Sequence, residues 1–362
     1  EENVRITTTG ICDLHFISTS KTGSASVSIK KNATIIAPRM YFYSPFEMEV
    51  FGTLNANGGG IKNTTTVNPT TNWGGTYGGS GGRTSCPKFD LSAPSVGQNN
   101  PYFTNTPAAV GSVDVFKDFS RNSTQGISDT MALGRSGGGG DSGVDNAGRG
   151  GGRIVLVSEE ILTMSTTTII QANGEMPAIS TIKGGSGSGG AIAISAKYIK
   201  DGSGLITANG GDAPDAGGGG GGGRITLRVG RSSYILGPIF ENVDTGKVLN
   251  IIGAEQLRLY TTAGLTTGCT AGLTAGCNLC KNGGSGTILV EFMSDDQSIL
   301  SANLLVDNMN ACTQAATIID VSDSSETHST INCRSVTAQN LAVLTIPGDL
   351  SMPSGLLSEA AQ

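Results

Sequence analysis

Three short segments of the chain carry the same alternation of apolar and polar positions: Thr53-Leu54-Asn55-Ala56-Asn57-Gly58-Gly59, Thr168-Ile169-Ile170-Gln171-Ala172-Asn173-Gly174 and Gly204-Leu205-Ile206-Thr207-Ala208-Asn209-Gly210-Gly211. A period of two predicts strands, with Leu54 and Ala56, Ile170 and Ala172, and Ile206 and Ala208 on one face and Asn55, Gln171 and Thr207 on the other. The Asn-Gly that follows predicts a corner at Asn57, Asn173 and Asn209, because both residue types tolerate the positive φ of a sharp turn. A second pattern follows glycine-rich stretches: Gly151-Gly152-Arg153-Ile154-Val155-Leu156, Gly189-Gly190-Ala191-Ile192-Ala193-Ile194, Gly222-Gly223-Arg224-Ile225-Thr226-Leu227 and Gly284-Ser285-Gly286-Thr287-Ile288-Leu289-Val290. Positions 153, 191 and 224 are spaced by 38 and 33 residues and Asn173 to Asn209 by 36, which defines a repeat of roughly 35 residues.

Strands this short, with no helical segment between them, exclude a doubly wound parallel sheet, which needs helices on both faces. Coiling the chain so that each strand stacks on its counterpart solves the same burial problem without helices. The prediction is an all-β chain built as a right-handed parallel β-helix, with a β-sandwich carrying glycine-rich loops as the alternative. The glycine tracts at 137–152, 184–190 and 217–223 are costly to order singly, but stacked side by side they allow close backbone approach.

Four regions follow. Residues 1–60 read as N-terminal turns or a cap, and 61–130 as an irregular insertion rich in Thr, Asn and Pro that holds Trp73, Tyr77, Phe89, Tyr102, Phe103, Phe116 and Phe119. Residues 131–290 hold the glycine-rich repeats, and 291–362 read as C-terminal turns or a cap.

Composition narrows the class. Of 362 residues 55 are glycine, 14% are charged and the formal net charge is −6, which excludes a charge-rich disordered chain and a basic nucleic-acid footprint. No apolar stretch approaches the roughly 18 to 20 residues of a transmembrane segment. Cysteines at 12, 86, 269, 277, 280, 312 and 333, namely Cys12, Cys86, Cys269, Cys277, Cys280, Cys312 and Cys333, are candidates for disulfides whose connectivity spacing does not reveal. Their odd number leaves one for pairing between subunits. Asn32, Asn63 and Asn122 each open an Asn-X-Ser/Thr acceptor for N-glycosylation, and together with the cysteines they predict a secreted or cell-surface protein.

Catalytic signatures are missing from the sequence. It carries two histidines and no nucleophile elbow, phosphate loop, HExxH or dinucleotide fingerprint, and neither cofactor nor metal is predicted. Cys277 and Cys280 have a Cys-x-x-Cys spacing, but no second such pair or nearby histidine completes a zinc site. Asp212 with Asp215, or Asp141 with Asp145, would serve glycoside cleavage only at about 5 to 9.5 Å separation; turn hydrogen bonds are the simpler role. Arg153 and Arg224 recur after Gly-Gly, as does Arg83, and read as a solvated rail of charge or, alternatively, an anion or glycan contact.

The Ala-Asn-Gly and Gly-Gly-Arg-Ile strands, over roughly 50–60 and 131–290, resemble the glycine-rich parallel β-helix repeats of surface proteins within the broad pectate-lyase-like β-helix superfamily. The resemblance implies a β-helical fold and a choice among structural fibres, adhesins and polysaccharide-cleaving enzymes; the catalytic cluster of the enzymes is not recognisable here. The expectation is therefore a non-enzymatic, glycosylated extracellular structural protein that self-associates into a filament or surface assembly. A carbohydrate-binding adhesin using Trp73 and Tyr77 as stacking platforms is the alternative, and a polysaccharide lyase or glycoside hydrolase the third class.

Overall fold

The structure, a computed structural model, describes residues 4–8, 13–18, 26–60, 81, 115–116, 147–177, 184–213, 217–233, 239–266 (without 244–245, 250 and 255), 282–309 (without 297), 317–318, 333–339 and 344–345. Just over half of these residues lie in strands. In chain order these are β1 (Arg5–Thr7), β2 (Asp13–Ile17), β3 (Ser26–Ile29), β4 (Thr34–Ile36), β5 (Arg39–Ser44), β6 (Glu47–Val50), β7 (Thr53–Asn55), β8 (Arg153–Met164), β9 (Ile169–Gln171) and β10 (Ala191–Lys200). There follow β11 (Ser203–Thr207), β12 (Arg224–Gly230), β13 (Phe240–Val243), β14 (Gly246–Leu249), β15 (Gln256–Tyr260), β16 (Thr287–Met293), β17 (Ile299–Asp307), β18 (Thr317–Ile318), β19 (Cys333–Gln339) and β20 (Leu344–Thr345).

Two sheets organise them. The first runs β1-β4-β7-β9-β11-β15-β14-β13 and the second β19-β17-β16-β12-β10-β8-β5-β2, with β6 bridging β3 and β8. Pairing is parallel from β1 to β15 and from β2 to β16. It then reverses in both sheets: β14 is antiparallel to β15, and β17 to β16. The all-β class expected from the sequence is thus observed, with parallel strands.

Register puts one apolar residue per strand into each interior column. In the first sheet Ile6, Ile35, Leu54, Ile170, Ile206 and Leu259 are direct neighbours. In the second, Leu14, Met40, Ile154, Ile192, Ile225 and Ile288 form one column, and Phe16, Phe42, Leu156, Ile194, Leu227 and Val290 a second, with the rings of Phe16 and Phe42 stacked at 4.8 Å. Both sheets contribute to a single apolar cluster, so each inner face is covered by the other and helices are not needed to bury a parallel sheet. Each fully buried Leu or Ile stabilises the fold by about 1.5–3 kcal/mol, so the columns carry the stack.

The outer face of the second sheet is also partly covered. Val115 packs with Val155, Ala191 and Ala193, and its N–H donates to Thr226 Oγ1 at 3.0 Å. Phe116 lies over the Arg228 guanidinium at 4.3 Å, and Arg228 Nε donates to Glu291 Oε2 at 2.6 Å. Residues 115–116 belong to the aromatic-containing stretch 61–130; apart from them and Gly81, that stretch lies outside the described residues.

Candidate functional site

Two elements join successive repeats, and both are built from residues the sequence singles out. The first is a ladder of asparagines at the ends of β7, β9 and β11. Asn57 Oδ1 accepts the N–H of Asn173 at 2.7 Å, Asn173 Oδ1 accepts the N–H of Asn209 at 2.8 Å, and Asn209 Oδ1 accepts the N–H of Thr262 at 2.9 Å. Gln171 strengthens the lower rungs, accepting from Asn57 Nδ2 at 3.1 Å and Asn173 Nδ2 at 3.5 Å. Backbone bonds run alongside, from Gly58 to Asn173, Gly174 to Asn209 and Gly210 to Thr262. An amide side chain is suited to this place because its carbonyl can accept from one repeat while its NH₂ donates to a neighbour.

The positive φ expected at these corners occurs once. Gly58 has φ +62°, whereas Gly174 and Gly210 do not require it; glycine is needed there because a Cβ would lie 2.0 Å from Gly187 O and 2.1 Å from Gly220 O, respectively. Close packing, not turn conformation, selects glycine at two of the three corners.

The second element is a lattice of glycine backbone. The N–H groups of Gly151, Gly152 and Arg153 point three ways: to Ser188 in the next tract (2.8 Å), across to Ala56 (2.7 Å) and back to Pro38 (2.9 Å). Gly189, Gly190 and Ala191 repeat this toward Gly221, Ala172 and Gly152, and Gly222, Gly223 and Arg224 toward Gly284, Ala208 and Gly190. One triplet earlier, Gly187, Gly220 and Gly283 again bond across, to Glu175, Gly211 and Gly264. The third donor of each set opens a strand, and the two glycines before it satisfy their amides only through neighbouring segments. A Cβ at Gly190, Gly223 or Gly286 would come within 1.9–2.2 Å of a carbonyl oxygen of the adjacent tract, and one at Gly151 or Gly152 within 2.0 Å of Ala172 O or Pro38 O. The described parts of the tracts are therefore hydrogen-bonded to one another, as expected of stacked loops.

Gly-Gly-Arg does not make a solvated rail. Arg39, Arg153 and Arg224 are 8, 4 and 1% exposed, and Arg39, Arg153, Ala191, Arg224 and Thr287 occupy one register column. Arg39 follows Pro38 rather than Gly-Gly, so the repeat pattern does not reveal it.

Other predicted residues are dispersed. Asn32 is exposed in a turn after β3 with φ +66°, a position a glycan can occupy; Asn63 and Asn122 lie outside the described residues. Cys12, Cys86, Cys269, Cys277, Cys280 and Cys312 lie outside them as well, and Cys333 begins β19 beside Ala302. Trp73, Tyr77, Arg83, Asp141, Asp145 and Asp215 are likewise outside. Asp212 Oδ1 accepts the N–H of Leu265 at 2.8 Å and its carbonyl accepts from Ser186 Oγ, which is the turn-bonding role.

Among the described residues no group of three or more His, Cys, Asp or Glu side chains is arranged to hold a metal, and no helix is long and apolar enough to cross a membrane. Sequence reasoning missed a polar and aromatic patch on the outer face of β2, β5 and β8. His15 sits 5.6 Å from the Tyr41 ring, and the Tyr43 hydroxyl donates to Glu159 Oε1 at 2.6 Å. That hydrogen bond, with burial second, pushes the Tyr43 hydroxyl up to about 12. On the neighbouring β6, Ser28 Oγ and Lys30 Nζ both donate to Glu49 Oε2, at 2.6 and 2.9 Å, and hold its carboxyl below the ordinary range, Ser28 contributing most. The i, i+2 spacing of Tyr41 and Tyr43 was the available signal, since it places both on one face of a strand. No family model matches the chain, no curated protein is similar to it, and no solved structure matches its fold.

Proposed function

We propose that the chain is a right-handed parallel β-helix that serves as an extracellular structural protein, a glycosylated subunit of a surface filament or fibrous assembly. The observation that carries this reading is where the repeat's distinctive chemistry goes: its asparagines and glycines are consumed in bonds between coils, leaving a rigid stacked body. In the two sheets, parallel strands return to the same register once per repeat and share one core, which is the arrangement a solenoid requires. Asn32 in an exposed turn supports the glycoprotein part.

Electron microscopy of the native material, isolated without reduction, together with mass spectrometry of its glycopeptides, tests the proposal. Fibres whose axial repeat matches one subunit or a simple multiple, with occupied Asn32, Asn63 or Asn122, are expected. Uniform unglycosylated monomers would overturn it. The outer patch of Tyr41, Tyr43 and His15 favours the carbohydrate-binding adhesin as a second reading, since exposed aromatic rings beside a carboxylate suit a sugar. Binding of a polysaccharide by the monomer, lost in a Tyr41→Ala/Tyr43→Ala variant, would establish it.

A further inference from the structure

The stack ends differently at its two ends. At the C-terminal end both sheets reverse: β14 and β17 run against the coils, β13 returns to the coil direction and β19 follows β17. The terminal strands there therefore run in mixed senses. At the N-terminal end β1, β2 and β3 all keep the coil direction, and among the described residues each pairs on one side only, with β4, β5 and β6.

Among the described residues the interior columns also run out at this end. Ile6 continues the buried column of Ile35, Leu54, Ile170, Ile206 and Leu259, yet it is 37% exposed, as is Val4. Leu14, Phe16 and Val27, the last members of the columns in the second sheet, are only partly buried. An open core of this kind is covered or joined to another molecule.

Resting on the structural reading above, we propose that a second copy of this chain covers the N-terminal end, related by a two-fold axis that sets β1 antiparallel to β1 of that copy, centred on Ile6. The backbone supports this register. Thr8 N–H bonds to Ile36 O and Val4 O accepts from Thr34 N–H, so residues 4, 6 and 8 turn their main chain toward β4. In a parallel ladder the alternate residues, Arg5 and Thr7, then turn theirs outward. Pairing centred on Ile6 sets Arg5 opposite Thr7 of the second copy, where each pair exchanges both N–H···O bonds. Ile6 meets Ile6 in the closer, non-hydrogen-bonded position, about 4.5 Å between Cα atoms. The single charge of β1, Arg5, thus meets threonine and not its own kind.

A head-to-tail joint fits less well. It would ask the uniform strands of the N-terminal end to pair with the mixed strands of the other, parallel in one sheet and antiparallel in the second. The two-fold joint is antiparallel throughout, the slightly more stable pairing per residue. In a filament built this way subunit polarity alternates, N-terminal end to N-terminal end.

Sedimentation of the full chain with Ile6→Lys and Ile6→Glu tests it. Each variant alone sets two like charges face to face, and at least a tenfold weaker N-terminal association is expected from each. Mixed in equal amounts, the two should recover association, because only a two-fold joint brings position 6 opposite itself. Circular dichroism checks that both are folded. As a second measurement, amide exchange of Arg5 and Thr7 in the wild-type chain should slow as concentration rises. If the wild-type assembles but the variants assemble equally well, or mixing fails to rescue them, or the two amides stay fast, the two-fold joint is wrong and the structural reading stands. A wild-type chain that is monomeric at all concentrations overturns both.

Discussion

Asn57 Oδ1 accepts the backbone N–H of Asn173 at 2.7 Å, across 116 positions of sequence. The contact is one rung of a ladder whose next rung, from Asn209 to Asn173, repeats it 36 residues further on. Substituting Asn173→Ala leaves the N–H of Asn209 without its acceptor and should destabilise the fold by about 1–2 kcal/mol. Asn173→Asp keeps the acceptor and should cost less. Thermal unfolding of the two variants separates the acceptor from the rest of the side chain. Equal losses would show that the carbonyl is not the part that matters.

Gly190 lies where three tracts meet. Its N–H bonds across to Ala172, and a Cβ would stand 2.0 Å from Gly152 O and 2.6 Å from Gly151 C, both backbone. Backbone on both sides leaves nothing flexible to yield, so Gly190→Ala should cost more than about 4 kcal/mol or prevent folding. Thr166→Ala, at an exposed turn, should stay within about 0.5 kcal/mol of wild type. Denaturant titration of the two measures the contrast.

Arg228 and Glu291 sit side by side on β12 and β16, at 20 and 5% side-chain exposure, under the ring of Phe116. Removing Glu291 takes a charge partner from Arg228 in a poorly solvated place, and Glu291→Met should cost about 2–4 kcal/mol, less than for a fully buried pair because Arg228 keeps some solvent. The double variant Arg228→Met/Glu291→Met should lose less than the single one. A double-mutant cycle on unfolding free energies tests this, and an additive result would mean that the pair is not coupled.

The Tyr43 hydroxyl is raised from 10.0 to about 12, chiefly by donating to Glu159. A raised folded value means that the neutral hydroxyl is the stabilising form. Its contribution is fully present below about pH 10 and fades as pH rises through about 12. Ultraviolet titration should show a late-ionising tyrosine that disappears in Tyr43→Phe and shifts back toward 10 in Glu159→Ala. If the late tyrosine persists in Tyr43→Phe, the assignment is wrong.

What the sequence disclosed depended on whether burial or position drove the choice of residue. Leu54, Ile170 and Ile206 were legible because a side chain pointing into a shared core must be apolar, and the same holds for Ile154, Ile192 and Ile225. The matched spacing of Arg153, Ala191 and Arg224 likewise became direct register. Leu259 was harder to place: it continues the column of Ile206, but Thr261 and Thr262 stand where Ala-Asn would, so the phrase that marks the earlier coils is absent. Burial of the arginines could not be read, since a charged residue after Gly-Gly looks solvated until a covering segment is placed over it. Nor could the reversal at β14 and β17, because alternation within a strand is identical in both directions.

The glycine lattice has one further consequence. The described glycines of the tracts lie buried against one another, their amides turned to neighbouring backbone and not to solvent. A protease therefore meets little main chain there that it can seize without first opening the lattice. Contact with other molecules is left to the outer faces of the strands and to the exposed turns.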